Sequence, residues 1–282
     1  MLPELSQALA DAVEAVRPSL LTHRGRRVRT TLFAVDPHHA VGSAHALRRL
    51  GRVEHDGHEV DTTVVGLARG LDLGLVRLGT EVPPVRWADT PRVGELVLPV
   101  AAGPRATLGM VSEVGGPWRT PRGRPVHAWI EVDGTLPPGF SGGPLLAADG
   151  GVIGMNTRRL VRGGTTLPAE TVQDIVATLL ARGSAEPGFL GIGAASATLT
   201  AAQADTAGQA EAMLVVAVEP DSPAEGVLTV GDIVLSLGGT PVAGIASLRR
   251  VLDAHAPGTA LPLRVLTLDG PTEREVTLGR RP

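Results

Sequence analysis

Residues Asp133 to Thr157 read DGTLPPGFSGGPLLAADGGVIGMNT. At the centre of this stretch, Gly139-Phe140-Ser141-Gly142-Gly143-Pro144 sets one serine among glycines, just ahead of an apolar, strand-like run from Pro144 to Leu146. Glycine lets a backbone turn tightly and lets other main chain approach closely. A serine on such a turn is a candidate nucleophile, with neighbouring N–H groups available to a developing oxyanion. Taken alone, the same letters also describe a glycine-rich hairpin carrying a solvated serine. The reading turns on what lies upstream.

Upstream, Val41-Gly42-Ser43-Ala44-His45-Ala46-Leu47 places a histidine among small and apolar residues after a strand-like run. Gly70-Leu71-Asp72-Leu73-Gly74-Leu75-Val76-Arg77-Leu78 embeds one carboxylate in an apolar strand pattern. A lone histidine is commonly structural and a lone aspartate commonly caps a turn. Together the three sites run His, Asp, Ser, which is the chain order of chymotrypsin-like proteases. On these residues the chain resembles the HtrA (Deg) family of trypsin-like serine proteases with one C-terminal PDZ domain. GSAHAL is similar to the family's histidine segment, LDLGLVRL to its aspartate strand, DGTLPPGFSGGPLL to its serine loop and GGVIGMNT to the strand that follows. The stretch from Leu167-Pro168 to Leu180 resembles its closing helix, and Gly188-Phe189-Leu190-Gly191-Ile192 resembles the opening of its PDZ domain.

The resemblance implies a mainly β chain: a chymotrypsin-like double β-barrel protease domain followed by an α+β PDZ domain. The expected boundaries are 1–183 for the protease, with a leading helix at 3–16 and a closing helix at 169–181, then a linker at 184–187 and the PDZ domain at 188–282. It further implies His45 as general base, Asp72 as its orienting carboxylate and Ser141 as nucleophile. The N–H groups of Gly139 and Ser141 are the implied oxyanion hole. Leu136 is the implied wall of a pocket for a small to medium aliphatic residue. In the PDZ domain, N–H groups of Phe189, Leu190 and Gly191 are expected to capture a peptide carboxylate, with Leu190, Ile192 and Leu248 lining the apolar pocket.

The implied function is a serine endopeptidase of HtrA type acting on unfolded or damaged proteins, with peptide C-termini bound at the PDZ groove and no cofactor or metal. The competing class is a catalytically inactive or latent peptide-binding adaptor on the same fold. Phe140 keeps that alternative open, because the family commonly carries a small polar residue there: the ring either packs on a neighbouring loop or tilts the serine loop into an inactive arrangement. The segment from Asn156 to Pro168 and the turn between Asp221-Ser222-Pro223-Ala224 and Val230-Gly231-Asp232-Ile233 are both shorter than the family's.

Composition agrees with this class. With 36 Gly, 23 Pro, three Phe, three Trp and no Tyr in 282 residues, short strands and turns are expected over helix bundles. A net charge of -3 gives no reason to expect nucleic acid or an anionic membrane as partner. With no cysteine there is neither a disulfide framework nor a thiolate metal site. His55-Asp56-Gly57-His58 reads as a hairpin turn rather than a metal site, and His38-His39 as a solvated turn. The first 16 residues place Leu5, Leu9, Val13 and Val16 at helical spacing and lack a basic start and a continuous apolar core. The expectation is therefore a cytoplasmic protein without a membrane span. Family members often trimerise through aromatic contacts near the N-terminus; residues 1–32 hold no aromatic, so monomer and homo-trimer both stay open.

Overall fold

The structure, a computed structural model, describes residues 2–24, 29–48, 52–119, 125–126, 128–161, 164–267 and 270–281. The chain forms two compact units, Met1–Ala185 and Glu186–Pro282.

The first unit runs α1 (Leu2–Val16), β1 (Leu20–Arg24), β2 (Arg29–Asp36), β3 (His39–Ser43), α2 (Ala44–Leu47), β4 (Arg52–His55), β5 (His58–Val60), β6 (Thr62–Ala68) and β7 (Leu73–Leu78). It continues with β8 (Leu96–Ala101), β9 (Arg105–Ala106), β10 (Gly109–Gly115), β11 (Trp118–Arg119), β12 (Pro125–Val126), β13 (Trp129–Val132), β14 (Pro144–Ala147), β15 (Val152–Thr157), β16 (Thr165–Pro168) and α3 (Ala169–Arg182). The first sheet has the order β5-β4-β1-β2-β3-β7-β6. In the second, β10-β13-β16-β15-β14-β8-β9, β10 returns to pair with β8, so six strands close into a barrel. The first sheet carries seven strands.

Apolar patterning explains these elements. Leu9, Ala12, Val13 and Val16 give α1 one stripe, which packs against a core containing Phe33, Leu73, Leu98 and Met155. Phe33 meets Trp87 edge-on, with centroids 5.9 Å apart and rings at 70°. In α3, Val172, Ile175 and Leu179 recur on one buried face, and the helix ends where the Gly183 N–H bonds the Leu179 carbonyl at 2.8 Å. Asp56 and Gly57 both have positive φ, 45° and 80°, the conformation of a tight two-residue hairpin joining β4 to β5. Two local expectations need correction. Asp72 lies not within a strand but just before β7, in the left-handed region at φ 54°, ψ 30°. His39 is not a solvated turn residue: it begins β3, half-buried, with Nδ1 2.9 Å from the Asp36 carboxylate.

The second unit comprises β17 (Ile192–Thr198), α4 (Ala201–Ala207), β18 (Glu211–Val218), β19 (Ile233–Leu237), β20 (Thr240–Pro241), α5 (Ile245–Ala254), β21 (Ala260–Thr267) and β22 (Gly270–Thr277). Its sheet runs β17-β18-β19-β21-β22 with β20 on β19, leaving β17 at an edge. Leu248 and Val251 of α5 join Met213, Val234, Leu263 and Val276 in one buried cluster. Asp232 carries the ion pair beneath it: Arg274 Nη1 lies 2.7 Å from its carboxylate, which also accepts the Thr229 N–H at 3.0 Å.

Leu179 is fully buried between α3 and the first sheet, where its Cδ2 lies against the backbone of Gly66. Leu179→Ala is expected to lower the stability of the chain by about 3 kcal/mol, as cavity-forming changes in such cores do. Urea denaturation of the two proteins measures it.

Candidate active site

His45 stands on α2, one turn of helix that continues directly from β3, and Asp72 ends the short helical turn Arg69–Leu71 before β7. Because β3 and β7 are paired, with Ser43 opposite Leu73, the two side chains meet. The Asp72 carboxylate receives the His45 Nδ1 at 2.8 and 2.9 Å, the His45 backbone N–H at 3.0 Å and the Thr157 hydroxyl at 2.8 Å. Its own carbonyl accepts the Ala44 N–H at 2.9 Å. A carboxylate only accepts, so Nδ1 carries the imidazole proton and Nε2 keeps a free lone pair. The Asp72 side chain is 5% exposed and that of His45 is 29%, so the acid is sealed while the base reaches solvent.

Ser141 comes from the second sheet, on the loop between β13 and β14, and is buried. Around the serine the loop binds several of its own donors. Phe140 N–H bonds the Pro137 carbonyl at 3.3 Å, Gly142 N–H the Asn156 carbonyl at 2.8 Å, and Gly143 N–H the Phe140 carbonyl at 3.0 Å. Beside the nucleophile, the N–H groups of Gly139 and Ser141 are without an acceptor in the protein among the described residues. Gly142, at φ 83°, could not be replaced: a Cβ there would sit 2.4 Å from the Thr31 carbonyl and 2.8 Å from the Ser43 nitrogen. The missing side chain thus lets β2 and β3 of the first sheet close on the serine loop of the second. Thr31 fastens this junction, donating to the Gly139 carbonyl at 3.1 Å while accepting the Ala102 N–H at 2.9 Å. Asn156, fully buried, ties β14 to β16 through Pro144 O at 2.9 Å and the Thr166 hydroxyl at 2.7 Å.

Among the described residues, no hydrogen bond joins His45 Nε2 to Ser141 Oγ; the hydroxyl accepts the Arg158 N–H at 3.1 Å instead. Phe140 packs inward at 3% exposure rather than protruding, with the Arg105 guanidinium 5.3 Å from its ring centroid. Leu136 is buried against Gly164, where a Cβ would meet its Cδ1 at 2.7 Å. The Asp133 carboxylate accepts the Met110 N–H at 2.6 Å.

The second unit brings Leu190 and Leu248 into its buried cluster, with Ile192 packed partly buried against them at the start of the edge strand. One expected donor is not available. The Phe189 N–H already bonds the Gly279 carbonyl at 3.0 Å, and Gly279 returns a bond of 2.9 Å, because residue 189 forms an isolated bridge that closes the unit. Among the described residues, the N–H groups of Leu190 and Gly191 are without an acceptor in the protein.

Residues 24–155 match the model of the trypsin-like peptidase domain and residues 188–278 that of the PDZ domain. The chain is 30% identical over 241 residues to a probable periplasmic serine endoprotease, DegP-like, of Pseudomonas fulva, covering 80% of this chain and 50% of that protein. It is also 30% identical to the periplasmic pH-dependent serine endoprotease DegQ of Escherichia coli, covering 79% and 52%. The chain belongs to the HtrA family. Among solved structures, the HtrA-type protease AlgW with decapeptide superimposes with a TM-score of 0.61 at 20% identity, covering 97% of this chain and 99% of that one. The serine endoprotease from Yersinia pestis gives 0.63 at 21%, covering 97% and 98%. These likenesses are of fold. The chain spans about half the length of the curated HtrA relatives it matches.

The family comparison overturns the expectation of a cytoplasmic protein, since the relatives from P. fulva and E. coli are periplasmic by name. The physical reason is plain: α1 packs onto the core through Ala12 and Val16 and carries no address, and an absence of cysteine suits either compartment. No helix of the described residues is long and apolar enough to cross a membrane.

Thr157, Thr31 and Arg105 are site residues that sequence reasoning passed over. Only Thr157 left a trace, as the last letter of the GGVIGMNT stretch. Thr157→Val keeps the shape but removes a hydroxyl donor from a buried carboxylate. The expected loss is about 2 kcal/mol of folding stability, measured by chemical denaturation.

Proposed function

We propose that this chain is a serine endopeptidase in which Ser141 is the nucleophile, His45 the proton carrier and Asp72 the group that orients it. The observation that carries the reading is the Asp72 carboxylate gathering His45 Nδ1 and Thr157 while a serine loop with unspent N–H groups at Gly139 and Ser141 faces it across the sheets. Ser141 Oγ attacks the peptide carbonyl as its proton passes to His45 Nε2, and the imidazolium is stabilised by Asp72. The tetrahedral oxyanion falls to the N–H groups of Gly139 and Ser141, each donor contributing about 3 kcal/mol to the transition state. The amine leaves with the proton from His45, and water repeats the sequence to release the acid and regenerate Ser141. Within a resting enzyme, the absent His45–Ser141 bond is no obstacle, because such bonds often tighten only with substrate bound.

Substrates of this reading are unfolded or damaged proteins cut after small to medium aliphatic residues. Two observations support the preference. Leu136 presents an aliphatic wall against Gly164, and the nearby Asp133 carboxylate is engaged by Met110 and so is not offered to a basic side chain. In the second unit, the free edge of β17 beside α5 is the groove for an extended peptide added as a further strand. Its terminal carboxylate is taken by the N–H groups of Leu190 and Gly191, with Phe189 excluded as a donor. The compartment of this reading is the periplasm, supported by the names of the P. fulva and E. coli relatives. The alternative, a latent enzyme or adaptor, draws on one observation: the Ser141 hydroxyl is held by the Arg158 N–H and not by His45.

Ser141→Ala is expected to abolish casein hydrolysis, a loss on the order of 10⁶ in kcat where the triad acts as a unit. Residual cleavage at the wild-type rate rejects the nucleophile. A peptide-library profile should be led by Val, Ala or Leu before the scissile bond; dominance of Arg or Lys rejects the pocket. Hydrolysis that begins only when peptides with apolar C-termini are added selects the latent form, and silence with and without them selects the adaptor.

A further inference from the structure

We infer that Arg105 is a positioning residue for the oxyanion hole, fixing the plane of the Pro138–Gly139 peptide so that the Gly139 N–H stays turned toward the reacting carbonyl. The inference rests on the endopeptidase reading above and assigns a role to a side chain with no part in the triad. Its starting point is the departure at Phe140. The ring is buried beside the nucleophile, and the Arg105 guanidinium covers it at 5.3 Å from the centroid. From that platform Arg105 Nη1 donates to the Pro138 carbonyl at 3.4 Å. Its Nη2 lies against Gly139, so close that a Cβ there would be 2.6 Å away.

The consequence follows from peptide geometry. In a trans peptide the carbonyl and the next N–H point in opposite directions across one rigid plane. Holding the Pro138 oxygen on the side of Arg105 therefore holds the Gly139 N–H on the other side. Other bonds fix the neighbouring plane, because the Gly139 carbonyl is bound to Thr31. Without Arg105, only the Pro138–Gly139 plane is released, and Gly139, at φ 91°, resists its rotation least of all residues. Phe140 and Arg105 thus form a matched pair: a large ring where a small polar residue is usual, and a cation that uses it as a seat. The β8–β9 hairpin supplies both restraints, with Ala101 opposite Arg105 and the Ala102 N–H reaching Thr31.

The test compares the full-length wild type with Arg105→Ala and Arg105→Lys by peptide hydrolysis, fluorophosphonate labelling and the Gly139 amide resonance. Arg105→Ala is expected to lower kcat about 10- to 100-fold, less than the outright loss of an oxyanion donor, with KM within about twofold. Labelling should slow in parallel, melting temperature should hold, and added guanidinium should restore part of the rate. Arg105→Lys, keeping the charge without the fork, should fall between. The Gly139 resonance should move in Arg105→Ala. An unchanged kcat in an active protein overturns the proposal, as does a loss confined to KM or a loss that tracks a fallen melting temperature without rescue. A wild type that neither labels nor hydrolyses rejects the endopeptidase reading instead. In that event the Gly139 resonance still decides whether Arg105 sets the peptide plane, and an unmoved resonance overturns it.

Discussion

A buried carboxylate is tolerated only when its oxygens are fully engaged, and in this protein that requirement falls on Asp72. Its side chain draws in the His45 ring, the His45 backbone and the Thr157 hydroxyl, while its carbonyl holds the start of α2. Those donors come from α2, which continues β3 of the first sheet, and from the end of β15 in the second. The arrangement needs a left-handed backbone at residue 72, a conformation aspartate adopts more readily than most side chains. Satisfying one charge therefore registers the two sheets against each other at the place where the serine loop arrives.

Close approach of the backbones completes that registry. Thr31 O and Ser43 N lie where a side chain at 142 would be, and Val100 O lies 2.2 Å from where one at 143 would begin. The loop is thus held from outside by Thr31, Asn156 and Arg105 and from within by its own turns, while the N–H groups of Gly139 and Ser141 stay unspent. Preorganised donors of this kind stabilise developing charge without reorganising at the moment of reaction.

Much of this was legible in the sequence because the relevant signals are local. The helical spacing of Leu5, Leu9, Val13 and Val16, the apolar strand pattern ending at Leu78 and the Asp-Gly hairpin each reside in a few consecutive residues and match the elements formed. The His, Asp, Ser order came from three short motifs. What escaped depends on bonds between distant residues: Thr157 is 85 positions from Asp72, and Thr31 is 108 from Gly139. The Phe189 N–H was misread for the same reason, since its acceptor, Gly279, lies at the far end of the unit. Asp72 itself was placed inside a strand because its apolar neighbours hide the turn that precedes it. Compartment was not legible, for α1 is an element of the fold and not an address.

The most direct measurement of the central claim is the rate of fluorophosphonate labelling of wild type beside Asp72→Asn. The amide keeps the shape of the carboxylate but removes the charge and offers a donor toward Nδ1, so the imidazole is no longer held with Nε2 free. The account predicts that the wild type labels at Ser141 and that Asp72→Asn, folded by circular dichroism, labels about 10⁴-fold more slowly, the scale known for that change in a triad. Equal labelling rates in the two folded proteins would contradict it.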